Sequence, residues 1–267
     1  MIADKKIGFI GAGNMGSAVA KGLIASGAVA AGNILVTDLD VRKTSEFEKI
    51  GAEVRANAAA VAAEADIVIL AVKPDAFAGV LRGIAHAARP LYISIAAGIT
   101  IDYVKGFFEQ DVRVVRVMPN TPALIGEGVT VVSSKAPATE ADEKTACEIF
   151  ECVGMVERMD ERYLNAVGSV SGSSPAYVYI MIEAMADAAV ADGIPRDAAY
   201  RLAAQAVAGS ARMVLETGCH PGDLKDKVCS PGGTTIRAVA ALERAGFRSA
   251  LIDAMRVCTE RSNEITR

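Results

Sequence analysis

The 267-residue sequence has no tryptophan, only two histidines, no basic tract and no long apolar run. A membrane-spanning helix needs about 20 apolar residues, so we expect no membrane partner. With a net charge of −4 and no clustered Lys or Arg, the chain offers nothing to follow a phosphate backbone, and we expect no nucleic-acid partner. Residues 1–6 lack the features of a signal peptide, which predicts a cytoplasmic protein.

Cysteine and histidine are too sparse for a disulfide framework or a zinc site. The five cysteines are odd in number and have neither the spacing of a disulfide framework nor that of a zinc site. We therefore expect free thiols in a reducing compartment and no metal. His86 and His220 are isolated, and a lone histidine is more often structural than catalytic. No tyrosine is followed four residues later by lysine, which excludes the Tyr/Lys pair of short-chain dehydrogenases.

The length and the 52% apolar content are typical of a folded chain with two domains. Up to about residue 160, short apolar runs alternate with helical patterns, as in βαβ units. Runs such as 67–70 do not alternate with polar residues, which favours strands covered on both faces. The predicted strands are Lys6–Ile10, Ile34–Asp38, Ile67–Val72, Leu91–Ile95, Arg113–Val117 and Val129–Ser133.

After about residue 160 no further strand pattern appears, and apolar residues recur at helical spacing. Pro175, Pro195, Pro221 and Pro231 are placed as at the starts of successive helices, which predicts four or five of them. We therefore expect an α/β domain with a doubly wound, mostly parallel sheet over residues 1–160, and an all-α domain over residues 161–267.

A glycine-rich loop, Gly11-Ala12-Gly13-Asn14-Met15-Gly16, joins the first predicted strand to a helical stretch, Met15 to Ile24. The spacing alone is a weak signal, but between a strand and a helix it predicts a Rossmann dinucleotide site. Gly11 allows the tight turn, Gly13 lets a diphosphate approach, and Gly16 lets the helix pack closely. The domain is thus expected to bind a nicotinamide cofactor.

Asp38 ends the second strand about 20 residues beyond the loop, where a carboxylate accepts hydrogen bonds from the adenosine ribose. That position favours NADH. Arg42 and Lys43 follow closely and are suited to neutralise the 2′-phosphate of NADPH, although either also fits a solvated charge at a helix start. The choice between NADH and NADPH stays open.

Two Gly/Ser-rich segments stand in the helical part, 171–177 and 229–235, each before a predicted helix. Backbone N–H groups of Gly232, Gly233 and Thr234 at a helix start would suit a small carboxylate. The alternative is an ordinary helix cap, which Ser and Thr supply routinely.

In order and spacing, the motifs of this chain resemble the Δ1-pyrroline-5-carboxylate reductase family over nearly the whole length. They are Ile7 to Met15, Ala71 to Pro74, Ile95 to Gly98, Val117 to Pro122, Ser171 to Tyr177, and Leu224 to Asp226 leading into Ser230 to Ile236. The resemblance implies reduction of the C=N bond of 1-pyrroline-5-carboxylate by NADPH or NADH to give L-proline. It also implies a homodimer through the helical domain, assembled into a larger ring.

The resemblance also implies which residues form the sites. Beside the glycine loop, the cofactor would be lined by Asp38, Asp40, Asn57, Val72, Lys73 and Ala97. The substrate would be held by Glu161, Ser230, Gly232, Gly233, Thr234 and Thr235, with the Thr235 hydroxyl on the ring nitrogen as the catalytic contact. Lys73 has a second interpretation as a surface charge, and Glu161 as a solvent-exposed carboxylate.

Two other functions remain as alternatives. A hydroxyacid dehydrogenase of the 6-phosphogluconate type also joins a Rossmann domain to a helical one, but it needs a lysine base, and no lysine occurs between Lys144 and Lys225. An NAD(P)-binding redox sensor would explain the first domain and leave the 230–235 segment without a role. Many family members carry other residues at Asp38-Leu39, which keeps the cofactor preference open.

Overall fold

The computed structural model describes residues 2–266, and its internal contacts divide the chain into two units. The first runs to Ser173 and includes the chain from Cys258 onward, and the second is Ser174–Val257. Residues 161–173 therefore pack with the first unit, whereas the expected domain boundary lies at residue 160. As a division into domains, that boundary remains a proposal.

The first unit is built on an eight-stranded sheet in the order β3-β2-β1-β4-β5-β6-β7-β8. All neighbouring strands are parallel except β6 and β7, which confirms a doubly wound, mostly parallel sheet. The strands are β1 Ile7–Ile10, β2 Ile34–Thr37, β3 Glu53–Val54, β4 Ile67–Leu70, β5 Leu91–Ser94, β6 Arg113–Met118, β7 Gly128–Ser134 and β8 Gly154–Arg158.

Burial explains which strands the sequence pattern revealed. Every residue of β1, β2, β4 and β5 is buried, because helices cover both faces, so these strands are apolar without alternation. The two outer strands were not predicted. β3 has only two residues, and β8 carries charged, exposed positions at the other edge of the sheet.

Seven helices accompany the sheet within the described part of the first unit before Ser174, together with short 3₁₀ turns and a π-helical turn at Gly168–Gly172. The helices are α1 Asn14–Ala25, α2 Val41–Lys49, α3 Ala58–Glu64, α4 Phe77–Ile84, α5 Ile101–Lys105, α6 Glu140–Glu151 and α7 Leu164–Val167. Two apolar cores fill the two faces of the sheet.

Five further helices follow, in agreement with the four or five that were predicted. They are α8 Ser174–Ala191, α9 Arg196–Thr217, α10 Pro221–Val228, α11 Thr234–Arg244 and α12 Phe247–Ile265. Pro221 opens α10 and Pro195 directly precedes α9, where the missing N–H does no harm. Within residues 2–266, no helix combines the length and apolarity needed to cross a membrane.

The second unit has almost no apolar core of its own. Its only buried residues, in a segment that the structure describes throughout, are Ala186, Ala199 and Ala203. Large apolar side chains point outward instead, including Ile180 at 66%, Leu202 at 61% and Leu215 at 71% exposure. Exposed apolar surface on this scale marks an interaction surface.

An ion pair lies buried in the first unit, where Arg116 of β6 meets Glu161. Arg116 is 2% exposed and Glu161 8%, and the Arg116 Nη1 lies 3.3 Å from the Glu161 Oε1. The Ile101 N–H donates to the same oxygen at 2.8 Å, and the Lys135 Nζ lies 2.6 Å from Oε2. Burial lowers the pKa of Arg116, while the hydrogen bond to Glu161 raises the pKa of Lys135. The interpretation of Glu161 as a solvent-exposed carboxylate is therefore wrong.

We expect Glu161→Gln to lower the free energy of unfolding by about 3–5 kcal/mol, because Arg116 would be left buried without its counter-charge. Urea unfolding at pH 7 and fixed protein concentration measures the change. Glu264→Gln is the matched control, since it removes one carboxylate from an exposed ion pair with Arg261. A loss in Glu161→Gln no greater than in the control would contradict the buried pair.

Candidate active site

The carboxyl ends of four neighbouring strands meet at one edge of the sheet, and most of the predicted cofactor residues follow them. Main-chain bonds hold the ends together: the Gly11 N–H donates to Thr37 O at 2.9 Å, and the Ala71 N–H donates to Ile10 O at 2.9 Å. β1 and β4 are neighbours, but the connection after β1 runs to β2 on one side of them and the connection after β4 runs to β5 on the other. Ligands of open α/β sheets bind at this type of switch point.

The three motif glycines differ in what each allows. Gly11 has φ +104°, and a Cβ there would lie 2.6 Å from Ala71 O, so only glycine fits the turn. A Cβ at Gly16 would lie 2.8 Å from Gly11 O, which explains how α1 packs so closely on the loop. A Cβ at Gly13 would meet nothing within 4 Å. Gly13 therefore faces open space, which fits a cradle for a diphosphate.

The start of α1 supplies the donors for such an anion. Its N-cap is Gly13, no side chain caps it, and its first turn carries no acidic residue. The N–H groups of Asn14, Met15 and Gly16 have no partner within the helix, because they belong to its first turn. Together with the helix dipole they form an anion-binding end. The chain thus fits a dinucleotide diphosphate here.

Asp38 lies directly beside this loop and supports it. One carboxylate oxygen accepts from the Ala12 N–H at 2.7 Å, and the other accepts from the Asp40 N–H at 2.9 Å. The Lys43 Nζ lies 3.8 Å from the second oxygen. The side chain therefore holds the glycine loop, and its predicted contact with the ribose stays a prediction.

Asp40 and Arg42 form a separate exposed pair at the start of α2. The Asp40 side chain caps the helix, accepting from the Arg42 N–H at 3.1 Å. The Arg42 guanidinium donates to both oxygens at 3.0 Å. This pairing lowers the pKa of Asp40 and raises that of Arg42. Arg42 is 91% exposed, so its guanidinium can exchange this partner for another anion.

The remaining predicted cofactor residues follow the ends of other strands. Asn57 caps α3, accepting from the Ala60 N–H at 2.9 Å. Val72 and Lys73 follow β4, half-buried and exposed respectively. Ala97 follows β5 and is exposed. The topology thus brings the glycine loop, Asp38, Val72 and Ala97 to neighbouring strand ends, and their contact with a cofactor stays a prediction.

The predicted substrate loop lies in the second unit and has a defined shape. The Gly233 N–H donates to Ser230 O at 3.1 Å, with Pro231 second and Gly232 third at φ +69°, the pattern of a type II turn. A Cβ at Gly233 would lie 2.3 Å from the Ser230 Oγ, so the Ser230 hydroxyl would have to rotate away to admit a side chain there.

The turn leads into α11 at Thr234, and Gly233 is the N-cap without a side-chain cap. The alternative of a routine Ser or Thr cap is therefore wrong at this helix. The N–H groups of Thr234, Thr235 and Ile236 belong to the first turn of α11 and have no partner within the helix. Their position fits the predicted carboxylate contact, which remains a proposal. Glu161, by contrast, belongs to the first unit.

Sequence reasoning missed the polar residues around Glu161. Arg116, Lys135 and Asn165 were not singled out, although the structure joins them by side-chain hydrogen bonds and ion pairs. One signal was present: Arg116 interrupts the apolar run of β6, and a charged residue in a buried strand requires a partner. Nothing in the sequence identified which carboxylate would pair with it.

Comparison with known proteins relates the whole chain to pyrroline-5-carboxylate reductases. Residues 161–265 match a family described as pyrroline-5-carboxylate reductase dimerisation, and residues 6–98 match one described as NADP oxidoreductase, coenzyme F420-dependent. The Escherichia coli pyrroline-5-carboxylate reductase is 50% identical over 267 residues, covering 99% of each chain.

Two solved structures share the fold over nearly the full length. The pyrroline-5-carboxylate reductase of Coxiella burnetii has a TM-score of 0.91 at 34% identity, covering 98% of this chain and 99% of its own. The Plasmodium falciparum enzyme, solved with NADP bound, has a TM-score of 0.91 at 31% identity and covers 99% of both chains. With a Rossmann-type first unit and a dimerisation segment after it, the chain belongs to the pyrroline-5-carboxylate reductase family.

Proposed function

We propose that this protein reduces 1-pyrroline-5-carboxylate to L-proline with NADPH or NADH, the last step of proline biosynthesis. The observation that carries the proposal is a pair of helices, α1 and α11, that begin at glycine N-caps with no side-chain cap. One suits a diphosphate and the other a carboxylate, in a chain whose full-length relatives are reductases of this substrate. The glycine loop, Asp38, Asp40, Asn57, Val72, Lys73 and Ala97 form the cofactor site.

The proposed reaction needs little acid or base catalysis by the protein. When bound, NAD(P)H would supply a hydride to the imine carbon of the ring, C2 of 1-pyrroline-5-carboxylate, and the ring nitrogen would take up a proton. The imine is already electrophilic, so the main task of the protein is to position the ring. This agrees with a chain that has no lysine between Lys144 and Lys225 and two isolated histidines.

The substrate ring would be held at the start of α11. We assign its carboxylate to the backbone N–H groups of Gly232 and Thr234, and its nitrogen to the Thr235 hydroxyl. The Gly233 N–H, which the resemblance also implies as a donor, already donates to Ser230 O, so Gly233 contributes to the shape of the turn. Ser230 is the first residue of the turn, and its carbonyl oxygen accepts the Gly233 N–H at 3.1 Å. Thr235 is half-buried, so its hydroxyl is partly shielded from water.

The contacts of Glu161 bear on its predicted role in substrate binding. Both of its carboxylate oxygens already have partners in Ile101, Arg116 and Lys135. These contacts favour a supporting role over direct contact with the ring. A substrate contact for Glu161 remains a prediction from the family resemblance.

Dimerisation through the second unit follows from the family and from the outward apolar side chains of α8 and α9. We propose further that dimers assemble into a larger ring. A cytoplasmic location is also proposed, and the five free cysteines support it, because a reducing compartment keeps thiols unpaired.

Steady-state kinetics with 1-pyrroline-5-carboxylate test the function and the cofactor together. We expect turnover with both NADPH and NADH, and an Arg42→Ala variant to raise KM for NADPH about tenfold with little change for NADH. The reason is that a guanidinium bonded to the 2′-phosphate loses a charge-assisted bond only with NADPH.

Lys49→Ala is the matched control, because it removes an exposed cation at the far end of the same helix. Equal changes with both cofactors in Arg42→Ala would contradict its contact with the phosphate. Cofactor binding without any turnover of the imine would instead favour the redox sensor.

We expect Thr235→Ala to lower kcat/KM for the imine by about five- to a hundredfold, the effect of losing one positioned hydrogen bond. Thr235→Ser keeps the hydroxyl and should retain most of the activity. The same assay at saturating cofactor measures both variants. Full turnover and unchanged substrate affinity in Thr235→Ala would show that the hydroxyl has no role in the reaction.

Because the second unit buries only three alanines, we expect the melting temperature of the protein to fall on dilution, as for any fold stabilised by its own association. We also expect Leu202→Glu to shift the protein toward monomer in size-exclusion chromatography with light scattering. Leu202→Met, which keeps an apolar side chain of similar volume, should not. A concentration-independent melting temperature together with an unchanged oligomer in Leu202→Glu would contradict the interface.

A further inference from the structure

The end of the last helix returns to the first unit, beside the loop between β5 and α5. Residues from Cys258 onward belong to this unit although α12 begins in the second. The Cys258 Sγ lies 3.2 Å from the Ser173 Oγ. Nothing in the proposed reaction requires this returning segment.

The segment covers Gly98 at close range. Gly98 has φ +72°, and a Cβ there would lie 3.2 Å from the Ile265 carbonyl oxygen and 3.5 Å from its side chain. Gly98 and Ile99 are buried, whereas the preceding Ala97 is exposed. The inner side of the loop is therefore closed by the chain end, and Ala97 is presented outward.

Asn165 fastens the chain end to the sheet. Its Nδ2 donates to the Asn263 Oδ1 and to the Thr266 Oγ1, both at 2.9 Å. Its Oδ1 accepts from Arg116 Nη2 at 3.3 Å. One amide thus joins the last turn of α12 to a guanidinium in the middle of the first unit.

The Arg116 guanidinium is also linked, through Glu161, to the end of residues 95–100 where α5 begins. Glu161, paired with Arg116, accepts from the N–H of Ile101, the first residue of α5. Arg116 also pairs in register with Ser94, the last residue of β5, from which the loop departs. Arg116 thus connects the start of α5, through Glu161, with the last turn of α12, through Asn165, and its main chain lies beside the strand end from which residues 95–100 depart.

We propose that Asn165 is a positioning residue for cofactor binding, which acts by clamping Asn263 and Thr266 so that Ile265 supports Gly98 and the exposed Ala97. The inference rests on the proposed function in one respect, since Ala97 is taken there as a cofactor contact. A residue in this role changes the affinity for the cofactor and leaves the chemical step intact.

The test is an Asn263→Ala/Thr266→Val variant of the full-length protein, which removes both partners of the Asn165 amide and leaves Asn165 and Arg116 in place. Titration with NADPH, followed by the fluorescence of the cofactor, gives Kd without any turnover. We expect Kd and KM for NADPH to rise about three- to tenfold, the effect of about one hydrogen bond, with kcat at saturating NADPH unchanged.

Two further variants make the test specific. Arg261→Ala/Glu264→Ala removes an exposed ion pair from the same helix end and should bind NADPH like the wild type. Asn263→Asp keeps an oxygen for the Asn165 amide and should restore most of the affinity that alanine loses.

The outcomes distinguish a clamp that positions the cofactor loop from a chain end that only stabilises the fold. A lower melting temperature with unchanged Kd for NADPH would overturn the proposal, because the segment would then be merely structural. Equal losses in the control pair, or no rescue by Asn263→Asp, would also overturn it. If the wild-type protein binds NADPH without reducing the imine, the proposed function fails, and the Kd comparison still decides the clamp.

Discussion

The helices of the second unit, α8 to α11 and the first part of α12, bury almost none of their own apolar side chains, and the rest of the structure depends on how these side chains are covered. Their unit buries three alanines, while large side chains such as Ile180, Leu202 and Leu215 remain outside. Alanine side chains lose little water-exposed surface on burial, so they stabilise an isolated bundle weakly. The proposed substrate loop is carried by this unit. If the apolar faces of this scaffold are covered by association, the proposed substrate loop is stabilised with them, so we expect activity to depend on assembly.

The first unit has the opposite character, because two apolar cores pack against the faces of its sheet. At the carboxyl edge of this sheet, the Asp38 carboxylate accepts hydrogen bonds from the Ala12 and Asp40 N–H groups. A 2′-phosphate would lie near this negative charge, yet Lys43 and the exposed Arg42 stand close by to offset it. Charges of both signs therefore stand at this strand end, so one acidic residue at the end of β2 does not decide between the two dinucleotides.

The sequence predicted features that arise from local physics. The glycine loop was found because only glycine fits Gly11 and Gly16, and the buried strands were found because burial on both faces removes alternation. The edge strands β3 and β8 were missed because one is too short and the other is charged. The bonds of Asn165 to Asn263 and Thr266 join positions about a hundred residues apart, and no local pattern carries that pairing. Helical periodicity likewise cannot tell whether an apolar face packs within its own chain or against another.

The two proposed anion sites, at the N-termini of α1 and α11, both use backbone N–H groups after a glycine N-cap. This shared arrangement explains why the proposed sites are rich in glycine and poor in titratable groups. The side-chain oxygen of a serine or asparagine N-cap would accept a hydrogen bond from the first turn and occupy an N–H group there. Glycine gives up that bond at a cost of only a few tenths of a kcal/mol, and it leaves the N–H groups free for an anion. Both α1 and α11 begin this way, at Gly13 and Gly233. For a substrate that is already electrophilic, fixed backbone donors that position a diphosphate and a carboxylate meet most of what the reaction requires.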